Sequence, residues 1–280
     1  MTRCALRTGR WVLLVAAVMT LVSAPRCAAA QTRLVAFVGS ASKPPMEACK
    51  RAYEKLHPDV AVDMTFSGSG TLLNQMVLEE MGDLYIPGSD DYMDKAAAQR
   101  AILPATRKII CYLVPMICVQ HGNPKHIRTL QDLARPGMSV GLAKAGAVCL
   151  GDVSEQILVS AGLLEAVRKN VLTYAASCEQ TQQLLQLQEV DAIIGWDSFK
   201  AWAPEKIDLV PLEAKYVRVR NIPAAVSVYS KEPRAAVAFI KFLTSTQGSE
   251  IFARHGYAVH PPHLTPDTRQ QPGPQPRARK

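Results

Sequence analysis

Two short loops, Gly39-Ser-Ala-Ser42 and Ser67-Gly-Ser-Gly70, constrain this chain most. Each follows a strand-length run and precedes residues that repeat at helical spacing. Leu34-Val-Ala-Phe-Val-Gly39 is a short continuous apolar run suited to a buried parallel strand. Pro44 and Pro45 fit the first turn of a helix; Met46, Cys49, Tyr53 and Leu56 then recur at helical spacing until His57-Pro58 stops it. Val60 to Phe66 alternates as a second strand, Thr71 to Met81 reads as a helix, and Asp83 to Ile86 is a short third strand ended by Pro87-Gly88. This βαβαβ order predicts an α/β sheet with right-handed crossovers.

The apolar stretch Lys108 to Val119 is long for one strand and carries Pro115 in its middle, so it is expected to pass from one sheet to another. A second α/β series follows: Ser139 to Leu142, a helix from about Gly151 to Ala161, Val171 to Tyr174, an amphipathic helix near Glu179 to Leu187, and the strand Ala192 to Trp196. Asn221 to Tyr229 can lead back, and Pro233 to Leu243 and Gln247 to His255 are closing helices. No low-complexity linker separates two contiguous domains. A chain that visits one lobe, then a second, then the first again fits the pattern.

The surplus of 32 Lys+Arg over 24 Asp+Glu, a net +8, would suit a nucleic-acid partner if it lay on the folded body. It does not. Residues 1–30 have the parts of a secretory signal: Arg3, Arg7 and Arg10, an apolar run from Trp11 to Val22, and Ala28-Ala29-Ala30 as a cleavage site. The run is too short to span a bilayer, which takes about 20 residues, and Cys27 lacks a lipobox. The leader holds four arginines and no acid, so the remainder carries +4; residues 261–280, with six prolines, four basic residues and one acid, read as a disordered cationic tail. The body between is left near +1, and nucleic-acid binding loses its support.

Five cysteines follow the leader, Cys49, Cys111, Cys118, Cys149 and Cys178, with no CxxC pair, so zinc-ribbon and thioredoxin-like motifs are absent. Cys111 and Cys118 read as core residues. The six histidines form no HxH or HxxxH arrangement, so no catalytic metal site is indicated. Phe66-Ser-Gly-Ser-Gly-Thr71, between strand and helix, offers helix N-terminal N–H groups, close backbone approach at glycine, and the Ser69 and Thr71 hydroxyls: an anion cradle, or equally a capped turn with no ligand. A dinucleotide loop lacks its third glycine at Leu73, and a hydrolase elbow lacks its first at Ser67. The loop at Ser40 and Ser42 has the same placement, and two such loops converge on one crevice. Trp196 either walls that crevice or packs in the core.

These residues carry a resemblance. The stretches Gly39 to Met46, Phe66 to Gln75 with Gly82 to Met93, Glu189 to Trp196, and Ala235 to Gly248 are similar to the periplasmic molybdate-binding proteins of ABC importers, within the type II solute-binding fold. The resemblance implies two α/β lobes with a two-segment hinge, residues 31–112 and 222–260 forming lobe 1 and residues 113–221 lobe 2. It implies one tetrahedral oxyanion, molybdate or tungstate, held by neutral donors, with no catalytic residue, no bound metal ion and no cofactor. The matched positions are Ser40 (with Ser42 as the alternative), Gly68 and Ser69 from the first lobe, and Cys149, Cys178 (with Ser177 as the alternative) and Trp196 from the second. Trp196 stands where the family has a tyrosine, and its indole N–H donates from a different place. Expected partners are the oxyanion and an inner-membrane ABC permease, with the protein monomeric and periplasmic. The alternatives are a binding protein for sulfate or phosphate, or an exported α/β enzyme using the same cleft, which would lack an evident base.

Overall fold

Residues 31–262 are described in the computed structural model, and their strands form two five-stranded sheets. The expected leader over 1–30, and the expected tail from residue 263 onward, lie outside the described residues. The first sheet is built from β1 (Thr32–Gly39), β2 (Val60–Ser67), β3 (Leu84–Ile86) and β4 (Lys108–Leu113), with helices α1 (Lys43–Leu56), α2 (Ser69–Leu78) and α3 (Asp90–Ala98) between them. The chain then enters the second sheet through β5 (Pro115–Gln120), β6 (Val140–Ala143), α4 (Cys149–Ser160), α5 (Leu164–Arg168), β7 (Val171–Ala175), α6 (Cys178–Gln186), β8 (Ala192–Trp196), α7 (Phe199–Trp202) and β9 (Ile207–Pro211). It returns in β10 (Arg220–Val226) and closes with α8 (Pro233–Leu243) and α9 (Thr246–Arg254). Strand order is β2-β1-β3-β10-β4 in one sheet and β7-β6-β8-β5-β9 in the other. Both sheets are mixed: β1 pairs in parallel with β2 and β3, and β10 runs antiparallel to β3 and β4.

The apolar run of β1 is explained by its neighbours. Leu34, Ala36 and Val38 pack into the larger core while Phe37 packs into a second cluster with Leu72, Met76 and Tyr85. Both faces of the strand are covered from Leu34 onward, and every residue from Leu34 to Val38 is apolar. Pro115 acts where the strand must change sheets, since it has no N–H to add to the ladder. Val114, between β4 and β5, donates its N–H to Asp197 Oδ1 at 3.2 Å, and Asp197 returns its own N–H to the Val114 carbonyl at 2.9 Å. The segment from Leu212 to Val219 makes the second crossing.

Three helices begin earlier than residue preference predicts. α2 starts at Ser69 rather than Thr71, α4 at Cys149 rather than Gly151, and α6 at Cys178 rather than Glu179. Serine, glycine and cysteine are poor interior helix formers, but the first turn needs external acceptors more than propensity. Gly70 N–H finds the Ala147 carbonyl at 2.9 Å, and Ser177 Oγ caps α6 by accepting from Gln180 N–H at 3.1 Å. The short helix α5 and the strand β9 were not expected. Among the described residues no helix is long and apolar enough to cross a membrane.

Candidate functional site

The N-termini of α2, α4 and α6 and the turn after β1 face one another across the seam between the lobes. Ser40, in the short 3-10 turn Ser40–Ser42, is 2% exposed. Its Oγ accepts from the Cys178 N–H at 3.0 Å and lies 3.5 Å from the Glu179 N–H, so an oxygen from lobe 1 sits on the positive end of α6. Ser42 turns away and donates to the Gly39 carbonyl at 3.1 Å. Ser177, the looser match beside Cys178, spends its hydroxyl on the α6 cap.

Ser69, 1% exposed, accepts from the Gly88 N–H at 3.0 Å. The Cys149 sulfur and the Ser69 oxygen both flank Gly88, at 2.7 Å and 3.6 Å from where its Cβ would stand, and Cys178 opens α6 beside Ser40. The hydrogen bond from Cys178, then those from Ser69 and the Leu150 N–H, holds the Cys149 thiol below its ordinary value against the cost of burial. Cys178 is pushed up, first by hydrogen bonding with Cys149 and then by burial. Trp196 is fully buried at the end of β8, and its Nε1–H makes no hydrogen bond. Ser40 with Cys178, and Ser69 with Cys149 around Gly88, thus meet at the seam, and all four are buried, as is Trp196.

Gly68 stands at its edge for a steric reason. A Cβ there would lie 2.4 Å from the Ala147 carbonyl oxygen and 3.0 Å from that of Ala176, both in lobe 2. Gly88 likewise lacks a Cβ that would meet the Cys149 sulfur at 2.7 Å. The two lobes touch here through backbone.

Sequence reasoning passed over several groups at the seam. Gly88 supplies the N–H that orients Ser69, and its position just after β3 was the available signal. Lys43 Nζ pairs with Glu179 at 2.7 Å and Lys95 with Asp152 at 3.7 Å, each joining lobe 1 to lobe 2. Arg220 lies beside Asp91 at 3.1 Å and donates to Gln156 Oε1 at 2.8 Å. Tyr92 stacks under the Lys95 ammonium at 4.0 Å and keeps a buried hydroxyl without a partner. Asp197, next to Trp196, has its carboxyl pushed up to about 6 by burial, partly opposed by the N–H groups of Val114 and Ser198. Among the described residues, the side-chain hydrogen bonds of histidine go to Asp208 and Ile251, none of them to this group.

Residues 34–258 match the family of bacterial extracellular solute-binding proteins. The chain belongs to that family. It is 26% identical over 204 residues to the molybdate-binding protein ModA of Mycobacterium tuberculosis, covering 72% of this chain and 75% of that one. Its fold is that of the Azotobacter vinelandii periplasmic molybdate-binding protein (TM-score 0.72, 17% identity, 81% of this chain and 100% of that one). The sulfate-binding protein SubI of Mycobacterium tuberculosis superposes equally well (TM-score 0.72, 18% identity, 82% of this chain and 88% of that one). The type II periplasmic binding fold is therefore established for this family member, and these relatives bear the names of binding proteins rather than enzymes.

Proposed function

We propose that this protein captures a tetrahedral oxyanion, molybdate or tungstate first, between its lobes and delivers it to an ABC permease from the periplasm. One observation carries the proposal: the Ser40 oxygen seated on the N–H groups that open α6. An oxyanion arriving at the open cleft would take those N–H groups, while the freed Ser40 hydroxyl rotates to donate to it. Ser69 would do the same, backed by the Gly88 N–H, and the Cys149 backbone N–H and the Trp196 indole would complete a shell of neutral donors. Charge-assisted hydrogen bonds of this kind contribute roughly 1.5–3 kcal/mol each. Three helix N-termini add partial positive charge without a bound cation.

A shell made only of donors suits a fully deprotonated dianion, so sulfate is the competitor and size the discriminator. The molybdate-binding name of a relative that spans most of this chain favours the larger anion. Thermal shift of the mature protein across molybdate, tungstate, sulfate, phosphate and chromate tests this. A ligand at a hundred times its Kd stabilises by about 2.7 kcal/mol, and molybdate and tungstate are expected to give the largest shifts. Absence of any shift sinks the transport reading.

A further inference from the structure

The turn that presents Ser40 is short of a donor. In a 3-10 or α-helical continuation the Ala41 carbonyl would accept from residue 44 or residue 45, and both are proline, which has no N–H. Its neighbours are served locally: the Gly39 carbonyl accepts from the Ser42 hydroxyl and the Ser40 carbonyl from the Lys43 N–H. Ala41 is buried, so its carbonyl would be costly to leave bare. The missing donor comes from 216 positions away, as the Tyr257 hydroxyl.

Tyr257 is itself fixed on several sides. Its N–H reaches the Phe252 carbonyl at 3.2 Å, its ring meets that of Phe252 edge-on with centroids 5.6 Å apart, and the next carbonyl, Ala258, accepts from the Tyr112 N–H of β4 at 2.7 Å. Its hydroxyl oxygen accepts from Trp202 Nε1–H of α7, in the second lobe, at 3.2 Å. Glycine at position 256 lets the two segments meet, for a Cβ there would stand 2.9 Å from that of Ala201. Burial pushes the Tyr257 phenol well above its ordinary value, so the hydroxyl keeps the proton it donates. Trp202, Tyr257 and Ala41 thus form a chain of hydrogen bonds from lobe 2 to the back of the Ser40 turn, whose front meets the Cys178 N–H.

We propose that Tyr257 is a positioning residue for the oxyanion site: through the Ala41 carbonyl it fixes the turn that aims Ser40, and through Trp202 it ties that aim to the second lobe. The inference rests on the function proposed above, which gives Ser40 a ligand to meet. Tyr257 acts on that ligand through Ser40 and not by contact.

The test uses the mature chain and sodium molybdate. Tyr257→Phe keeps the ring against Phe252 and removes the donor. Calorimetry should show molybdate bound roughly tenfold more weakly than by the parent. Placed on Ser40→Ala, the same change should cost little more, since no Ser40 hydroxyl is left to aim; a residue that only supports the fold would cost the same in both backgrounds. Without any ligand, amide hydrogen exchange over residues 41–43 should quicken in Tyr257→Phe while β1 exchanges as in the parent. Trp202→Phe, which leaves the bond to Ala41 in place, should quicken the same amides to a smaller degree, and it decides the matter if melting curves show that Tyr257→Phe has not folded. Unchanged affinity, an equal loss in both backgrounds, or unchanged exchange in the folded variants overturns the proposal. If the parent binds no oxyanion, the function proposed above fails while exchange in the turn still decides the relay; molybdate binding with unaltered exchange removes the relay and leaves that function standing.

Discussion

The Ser40 hydroxyl oxygen lies 3.0 Å from the Cys178 backbone nitrogen, 138 positions away in sequence and in the other lobe. Ser40→Ala should leave the fold intact, since the turn keeps the Ser42 bond to the Gly39 carbonyl and the Tyr257 bond to the Ala41 carbonyl. It should weaken oxyanion binding by about tenfold, the equivalent of about 1.4 kcal/mol. Ser69→Ala should cost at least as much, because Gly88 then loses the acceptor of its N–H as well. Isothermal calorimetry checks both; unchanged affinity would remove that serine from the ligand's partners.

Gly68→Ala is expected to act on closure alone. Its φ of −66° and ψ of 142° are open to alanine, so neither lobe is strained. The new methyl would strike the Ala147 and Ala176 carbonyls only when the lobes meet. Small-angle scattering should show an expanded particle with and without oxyanion, and binding should fall by roughly tenfold or more. A variant that closes like the parent would show that the backbone contact is not limiting.

Asp83 ties β1 to the turn ahead of α8. Its carboxylate is 4% exposed and accepts from the N–H groups of Val35, Lys231 and Glu232 and from the Ser230 hydroxyl, at 2.7 to 3.2 Å. Asp83→Ala strands four donors and should cost about 3 kcal/mol or more in urea unfolding. Asp83→Asn, which keeps one acceptor oxygen, should cost less. Equal losses would mean that the charge rather than the geometry is what β1 requires.

Asp197 should impose a pH dependence of known sign. Burial raises its carboxyl from 3.8 to about 6, so folding favours the protonated form. Its contribution is full below the unfolded value, near 4, and is lost as pH rises through about 6. The shift corresponds to about 3 kcal/mol. Unfolding of parent and Asp197→Asn at about pH 4 and about pH 7 should show the variant gaining by that order at the higher pH. Parallel profiles would mean that water reaches the carboxylate.

What was legible in the sequence is what short-range pattern encodes. The apolar run of β1 and the repeat of Met46, Cys49 and Tyr53 on α1 announced themselves because burial on fixed faces leaves a period. Pro115 announced the change of sheet. β9 did not, because an edge strand of Ile-Asp-Leu-Val-Pro, largely half-exposed, lacks a clear period. The starts of α2, α4 and α6 were misplaced by one or two residues; in α2 and α6 the first N–H groups meet acceptors in the other lobe, Ala147 and Ser40, that sequence proximity does not reveal. Sequence left Ser40 and Ser42 nearly equivalent; three-dimensional placement separates them, one hydroxyl crossing the seam and the other folding onto Gly39.

The ion pairs Lys43–Glu179 and Lys95–Asp152 join the lobes at partly exposed positions. Dissolved ions reach them, and the screening length falls from about 30 Å at 0.01 M salt to about 3 Å at 1 M. Dilute water therefore tightens the grip of one lobe on the other, and brine slackens it. On the function proposed above, saltier surroundings would ease the parting of the lobes and the exchange of what lies between them.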